Sequence, residues 1–85
     1  MKNIIMYTGP MCAFCDAAKR LFKRNNANFK EIDIGNNLEI REEMIKRSNG
    51  RRTVPQIFIE DKHIGGYEEL RALEKNGELK NILGN

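Results

Sequence analysis

Hydrophobic and polar positions alternate along this chain in short blocks. Residues 3–7 (NIIMY) are apolar and partly β-branched, and Thr8-Gly9-Pro10 stops them, which predicts a buried strand ending in a loop. From residue 14 onward, Phe14, Ala17, Ala18, Leu21 and Phe22 recur at spacings of 3 and 1, one stripe of an amphipathic helix that Asn25-Asn26 ends. Residues 29–34 alternate, with Phe29 out of phase, and predict a short strand. Gly35-Asn36-Asn37 offers a turn and a helix cap. A second helix is expected over 38–48, with Leu38, Arg41, Met44, Ile45 and Ser48 along one side. Glu42–Lys46 and Glu43–Arg47 support it as ion pairs four apart, and Asn49-Gly50 stops it. Residues 56–60 read as a strand, Asp61-Lys62 as a tight connection, and His63-Ile64 as the returning arm of an antiparallel hairpin. Gly65-Gly66 breaks it. A third helix is expected from Tyr67 to Asn76, with Leu70 and Leu73 inward and Gly77 as its cap; Leu79, Ile82 and Leu83 mark a final short helix.

The order is therefore β-α-β-α-β-β-α. A helix between the first two strands implies a parallel, right-handed crossover. The hairpin adds an antiparallel edge, so the expected fold is α/β, a four-stranded mixed sheet with helices on both faces. At 85 residues the chain has the length of one domain, 1–85. Lysine and arginine exceed acidic residues by 3, but the charges are mixed along the sequence, as on solvated helix faces, and no nucleic-acid partner is expected. No apolar run approaches the roughly 20 residues that cross a bilayer, and the N-terminus lacks a signal-peptide core. A cytoplasmic monomer without a membrane partner is the expectation.

Both cysteines fall in Cys12-Ala13-Phe14-Cys15. A C-x-x-C pair serves either as half a zinc site or as a redox couple. Zinc needs four ligands, and the chain has no other cysteine and a single histidine, His63, so a closed zinc site within one chain is excluded. The pair sits where the first strand hands over to the first helix. There the free N–H groups and the positive end of the helix dipole favour a thiolate. Moving a thiol from pKa near 8.5 to about 6 takes about 3.4 kcal/mol. A helix terminus contributes about 0.3–1 kcal/mol, or about 2 when partly buried. Hydrogen bonds to the sulfur and a nearby cation supply the remainder.

Three motifs then combine: Tyr7-Thr8-x-x-x-Cys12-x-x-Cys15, Thr53-Val54-Pro55-Gln56-Ile57-Phe58-Ile59, and His63-Ile64-Gly65-Gly66 followed by Tyr67-Glu68-Glu69-Leu70. In order and spacing they cover nearly the whole chain, which resembles the bacterial glutaredoxins, dithiol oxidoreductases of the thioredoxin-like fold. The resemblance implies catalysis by Cys12 and Cys15, with glutathione as co-substrate and disulfide-bearing or glutathionylated proteins as partners. It implies a cis proline at Pro55 facing the cysteines, and a glutathione site of Phe14, Arg41, Arg52, Thr53, Val54, Pro55, Gly66, Tyr67 and Glu68. Val54 would pair strand-like with the ligand. The backbones of Tyr67 and Glu68 would receive the γ-glutamyl carboxylate, and Glu68 or Glu69 its ammonium group.

Two departures stand out. Gly9 lies where many members carry lysine, so the cation for the glycyl carboxylate and for thiol ionisation is expected from Arg41, Arg51 or Arg52. Cys12 is then expected to be less acidic than in lysine-bearing relatives. Ala13 replaces the family's proline and Phe14 its tyrosine. Relatives with a small residue in place of that proline can hold a [2Fe-2S] cluster between two chains, ligated by the first cysteine and glutathione. Besides that cluster carrier, a redoxin reduced by thioredoxin reductase is the other alternative. The chain shows no metal site of its own beyond Cys12 in such a cluster.

Overall fold

The structure is a computed structural model that describes residues 2–84; the expected domain limits, residues 1 and 85, lie outside the described residues. Eight elements follow in order: β1 (Ile4–Thr8), α1 (Ala13–Arg24), β2 (Lys30–Asp33), α2 (Leu38–Arg47), β3 (Gln56–Ile59), β4 (Lys62–Gly65), α3 (Tyr67–Lys75) and α4 (Glu78–Leu83). The sheet order is β2-β1-β3-β4. β1 and β2 are parallel, with Tyr7 opposite Ile32, while β1–β3 and β3–β4 are antiparallel. The mixed sheet and the crossover agree with the expected α/β topology.

Strand alternation divides the core in two, because successive side chains point to opposite faces. Ile4, Met6, Ile57 and Ile59 meet Ala18, Leu21 and Phe22 of α1, Leu70 of α3, and Leu79 and Leu83 of α4. On the other face Tyr7 and Phe58 meet Met44 of α2, with Ile32, Ile40 and Val54 packed around them. Tyr7 and Phe58 contact edge to face, ring centres 5.8 Å apart. A polar lattice pins α2 over this smaller cluster. The Tyr7 hydroxyl donates to Glu43 and accepts from Arg47 Nη1 at 2.8 Å, and the Arg47 guanidinium lies 4.4 Å from the Phe58 ring centre. Lys19 and Thr8 both reach Glu31 Oε2, at 2.8 and 2.7 Å, tying α1 and β1 to β2.

Four local expectations are corrected. β1 covers residues 4–8 rather than 3–7, because Thr8 still pairs with Asp33. The hairpin turn is Glu60-Asp61, both with left-handed backbone (φ 51° and 65°), as a two-residue turn between twisted strands requires. Lys62 therefore pairs with Ile59 and opens β4. Leu38 is 77% exposed; the buried stripe of α2 begins at Ile40, which stacks one turn below Met44. Phe14 leaves the inward stripe of α1 and is 59% exposed. Cys15, almost fully buried, takes the inward place in that turn.

Candidate active site

Cys12 is the N-cap of α1, and its sulfur accepts the Cys15 N–H at 3.0 Å. A capping position normally filled by an oxygen acceptor is thus filled by sulfur, which places it against the free donors of the first turn. Met11 precedes it with φ 51° and a fully exposed side chain, the sharp bend that turns the chain from the loop into the helix. Cys12 and Cys15 form a disulfide across the first turn, with Cα atoms 5.2 Å apart. Cys15 is buried beneath the helix, whereas Cys12 is half-exposed, so an external sulfur can reach only Cys12.

The Val54–Pro55 bond is cis, and Val54 O lies 3.6 Å from Cys12 Sγ. A groove of about 300 Å³ runs from here to the start of α3, lined by Phe14, Arg51, Thr53, Val54, Pro55, Gly66, Tyr67, Glu68 and Glu69. The Phe14 and Tyr67 rings stack along it, 5.8 Å between centres and 16° between planes. A Cβ on Gly66 would come within 3.3 Å of Pro55 O, so a residue without a side chain keeps this floor open. The first-turn N–H groups of Tyr67 and Glu68 have no acceptor inside α3 and face an anion-favouring helix end.

Glu69 has a different task. Its Oε1 accepts the Gly66 N–H at 2.6 Å and lies 3.3 Å from Arg51 Nη2. That backbone hydrogen bond, helped by Arg51, holds the Glu69 carboxyl below its ordinary pKa. Both acids at the helix start line the groove, and Glu69 is the one engaged by the Gly66 backbone and Arg51.

Seven of the nine expected ligand-binding residues come together in this groove, beside the two cysteines. Arg41, half-buried on α2, and Arg52, exposed before Thr53, do not line it. Arg51 does, and there its guanidinium is paired with Glu69 at the α3 end. The pairing of Arg51 with Glu69 is invisible in sequence, because 18 residues separate the two.

The comparisons agree with this geometry. The glutaredoxin family model matches residues 4–64. The chain belongs to the glutaredoxin family. It is 48% identical to glutaredoxin 3 of Escherichia coli K12 over 83 residues, 98% of this chain and 99% of that one. It is 43% identical to glutaredoxin 1 of Rickettsia conorii, covering 100% of this chain and 84% of the relative. The solution structure of glutaredoxin from Brucella melitensis superposes with a TM-score of 0.85 at 47% identity, over 98% of this chain and 89% of that one. A buckwheat glutaredoxin–glutathione complex superposes at 0.87 with 27% identity, over 98% and 77%. This glutaredoxin is a thiol–disulfide oxidoreductase of the thioredoxin-like fold, and Cys12 and Cys15 are at disulfide distance. Family membership does not favour the alternatives of a cluster carrier or a thioredoxin-reductase-dependent redoxin.

Proposed function

We propose that this glutaredoxin uses glutathione to reduce glutathione mixed disulfides and protein disulfides, acting as a cytoplasmic monomer. The observation that carries the reading is the groove that runs from the Val54 backbone, 3.6 Å from Cys12 Sγ, to the open N-terminus of α3. These three features match a γ-glutamyl tripeptide: a thiol at Cys12, an extended backbone along Val54 and a carboxylate at the Tyr67 and Glu68 N–H groups. Glu68 takes the ligand's ammonium group, and Phe14, Thr53, Pro55 and Gly66 shape the walls.

The Cys12 thiolate attacks the glutathionyl sulfur of a mixed disulfide; that S–S bond breaks and the substrate leaves as a thiolate that takes up a proton. A second glutathione thiolate then attacks the glutathionyl sulfur bound to Cys12, giving oxidised glutathione and the free Cys12 thiolate. With a protein disulfide, Cys12 forms the mixed disulfide with the substrate. Cys15 thiolate then attacks Cys12 Sγ, releasing the reduced substrate and closing the Cys12–Cys15 bond. Two glutathiones reopen it.

Intact mass after exposure to oxidised glutathione separates the roles. Cys15→Ser is expected to accumulate one glutathionyl adduct and keep deglutathionylating activity, while losing dithiol reduction. Cys12→Ser is expected to form no adduct and lose both. A Cys15→Ser protein inactive in both assays contradicts this division of labour.

An iron–sulfur cluster needs four thiolates, and one chain offers two, joined to each other. Only a second copy and two glutathiones could complete the set through Cys12. Beyond Ala13 no described residue favours it, and neither exchange reaction above needs a cluster. Protein prepared anaerobically without the absorbance of thiolate-ligated iron settles that arm.

A further inference from the structure

Gln56 is a fully buried polar side chain that links Thr53, in the wall of the ligand groove, to His63 on β4. It opens β3 opposite Tyr7, on the α2 face of the sheet. Its Nε2 donates to Thr53 O at 3.0 Å and lies 3.3 Å from Thr53 Oγ1. Its Oε1 lies 2.8 Å from His63 Nε2. With the amide nitrogen committed to two oxygens, Oε1 is left as the acceptor, so the proton sits on His63 Nε2. His63 is in turn held by Phe58, its ring centre 5.0 Å away, the two being direct partners across the β3–β4 pair.

We propose that Gln56 and His63 are positioning residues that hold the Thr53-Val54-Pro55 segment in its ligand-accepting shape. The inference rests on the reading that this edge binds glutathione. Drawing the Thr53 carbonyl inward leaves the Val54 backbone facing the groove, 3.6 Å from Cys12 Sγ. A strand-like ligand edge works only if its donors and acceptors are already aimed, since ordering them on binding would reduce affinity. Neither residue touches the reacting sulfurs, so the clamp acts on binding rather than on the exchange step.

The test uses the full chain and a glutathionylated peptide. Gln56→Met removes both arms of the clamp in a similar volume. Gln56→Glu keeps the acceptor for His63 and removes the donor to Thr53. His63→Phe removes the ring N–H, and His63→Gln supplies an amide N–H in its place. Gln56→Met, Gln56→Glu and His63→Phe are expected to raise KM about tenfold with kcat within about twofold, the size of one lost hydrogen bond. His63→Gln is expected to restore KM most of the way, and the rate of Cys12 alkylation is expected to stay at the wild-type value in all four. An unchanged KM in Gln56→Glu, a His63→Gln protein as impaired as His63→Phe, or a fall in kcat at constant KM overturns the proposal. Should the wild-type protein fail to use glutathione at all, the functional reading falls instead. The clamp is then judged by hydrogen exchange: Val54 N–H at least about tenfold faster in Gln56→Glu with β1 amides unchanged supports it, and equal rates sink it.

Discussion

His63 is the residue whose protonation the fold resists. Burial, followed by the positive charge of Arg51, pushes its pKa below the ordinary 6.5, while Glu69 opposes the shift. The unfolded chain therefore binds a proton that the folded chain refuses. Stability from this group is complete above about 6.5 and is lost as pH falls from there toward the lower folded pKa. Glu31, Glu69 and Glu74 act in a separate window, since their partners hold them below 4.5 and their contributions fade only beneath that value. Urea unfolding at pH 7.5, 6.5 and 5.5 is expected to show declining stability in the wild type and a flatter profile in His63→Gln. Parallel profiles would mean that the ring titrates alike in both states. At this scale the sequence was uneven. Cys12 and Cys15 announce themselves by spacing and placement. Gln56 and His63 do not, because a polar residue at a strand start normally faces water, and only the assembled sheet shows it enclosed. The Arg51–Glu69 pair is hidden for a related reason: its two residues meet across a fold that local pattern does not describe.

Among the elements, Gly65 joins β4 to α3 under a geometric constraint. Its φ is +124°, and a Cβ there would overlap the Glu69 carboxylate that caps the helix. Gly65→Ala is expected to destabilise the fold by about 1–3 kcal/mol, through backbone strain and displacement of the Glu69 cap. Because the cap sets the start of α3, KM for the glutathionyl substrate should rise alongside. A stable Gly65→Ala protein with wild-type KM would show that the β4–α3 corner can move without reaching the groove. The second helix gives a cleaner comparison. Met44→Ala, at a fully buried position beneath α2, is expected to cost about 2–5 kcal/mol. Leu38→Ala is expected to change stability by less than about 0.5 kcal/mol, because that side chain is exposed. Periodicity set Leu38 and Met44 on one side of the helix, yet Leu38, the first residue of α2, is exposed while Met44 is fully buried. A repeat near 3.6 residues names a face but not where the neighbouring layer ends, and the hairpin shifted by one residue for a similar reason. Alternation marks strands well, while Glu60-Asp61 and Asp61-Lys62 carry nearly the same turn chemistry.

Across the molecule, the disulfide and the core are almost independent. The bond closes a loop of sequence separation 3, within one helical turn. Chain entropy assigns so short a loop about 2 kcal/mol of stabilisation at most. The larger core cluster, spanning β1, α1, β3, α3 and α4, packs without the sulfurs, as does the cluster beneath α2. Cys12 can also keep capping α1 as a thiolate, because the Cys15 N–H already points at its sulfur. An enzyme that opens and closes this bond every cycle needs that independence: a fold held mainly by the bond would melt in mid-turnover. Urea unfolding of oxidised and fully reduced protein is therefore expected to differ by no more than about 2 kcal/mol, with the same denaturant slope. A reduced form with a much lower slope, or without a cooperative transition, would show that the bond holds the core together and would break the separation of chemistry from scaffold.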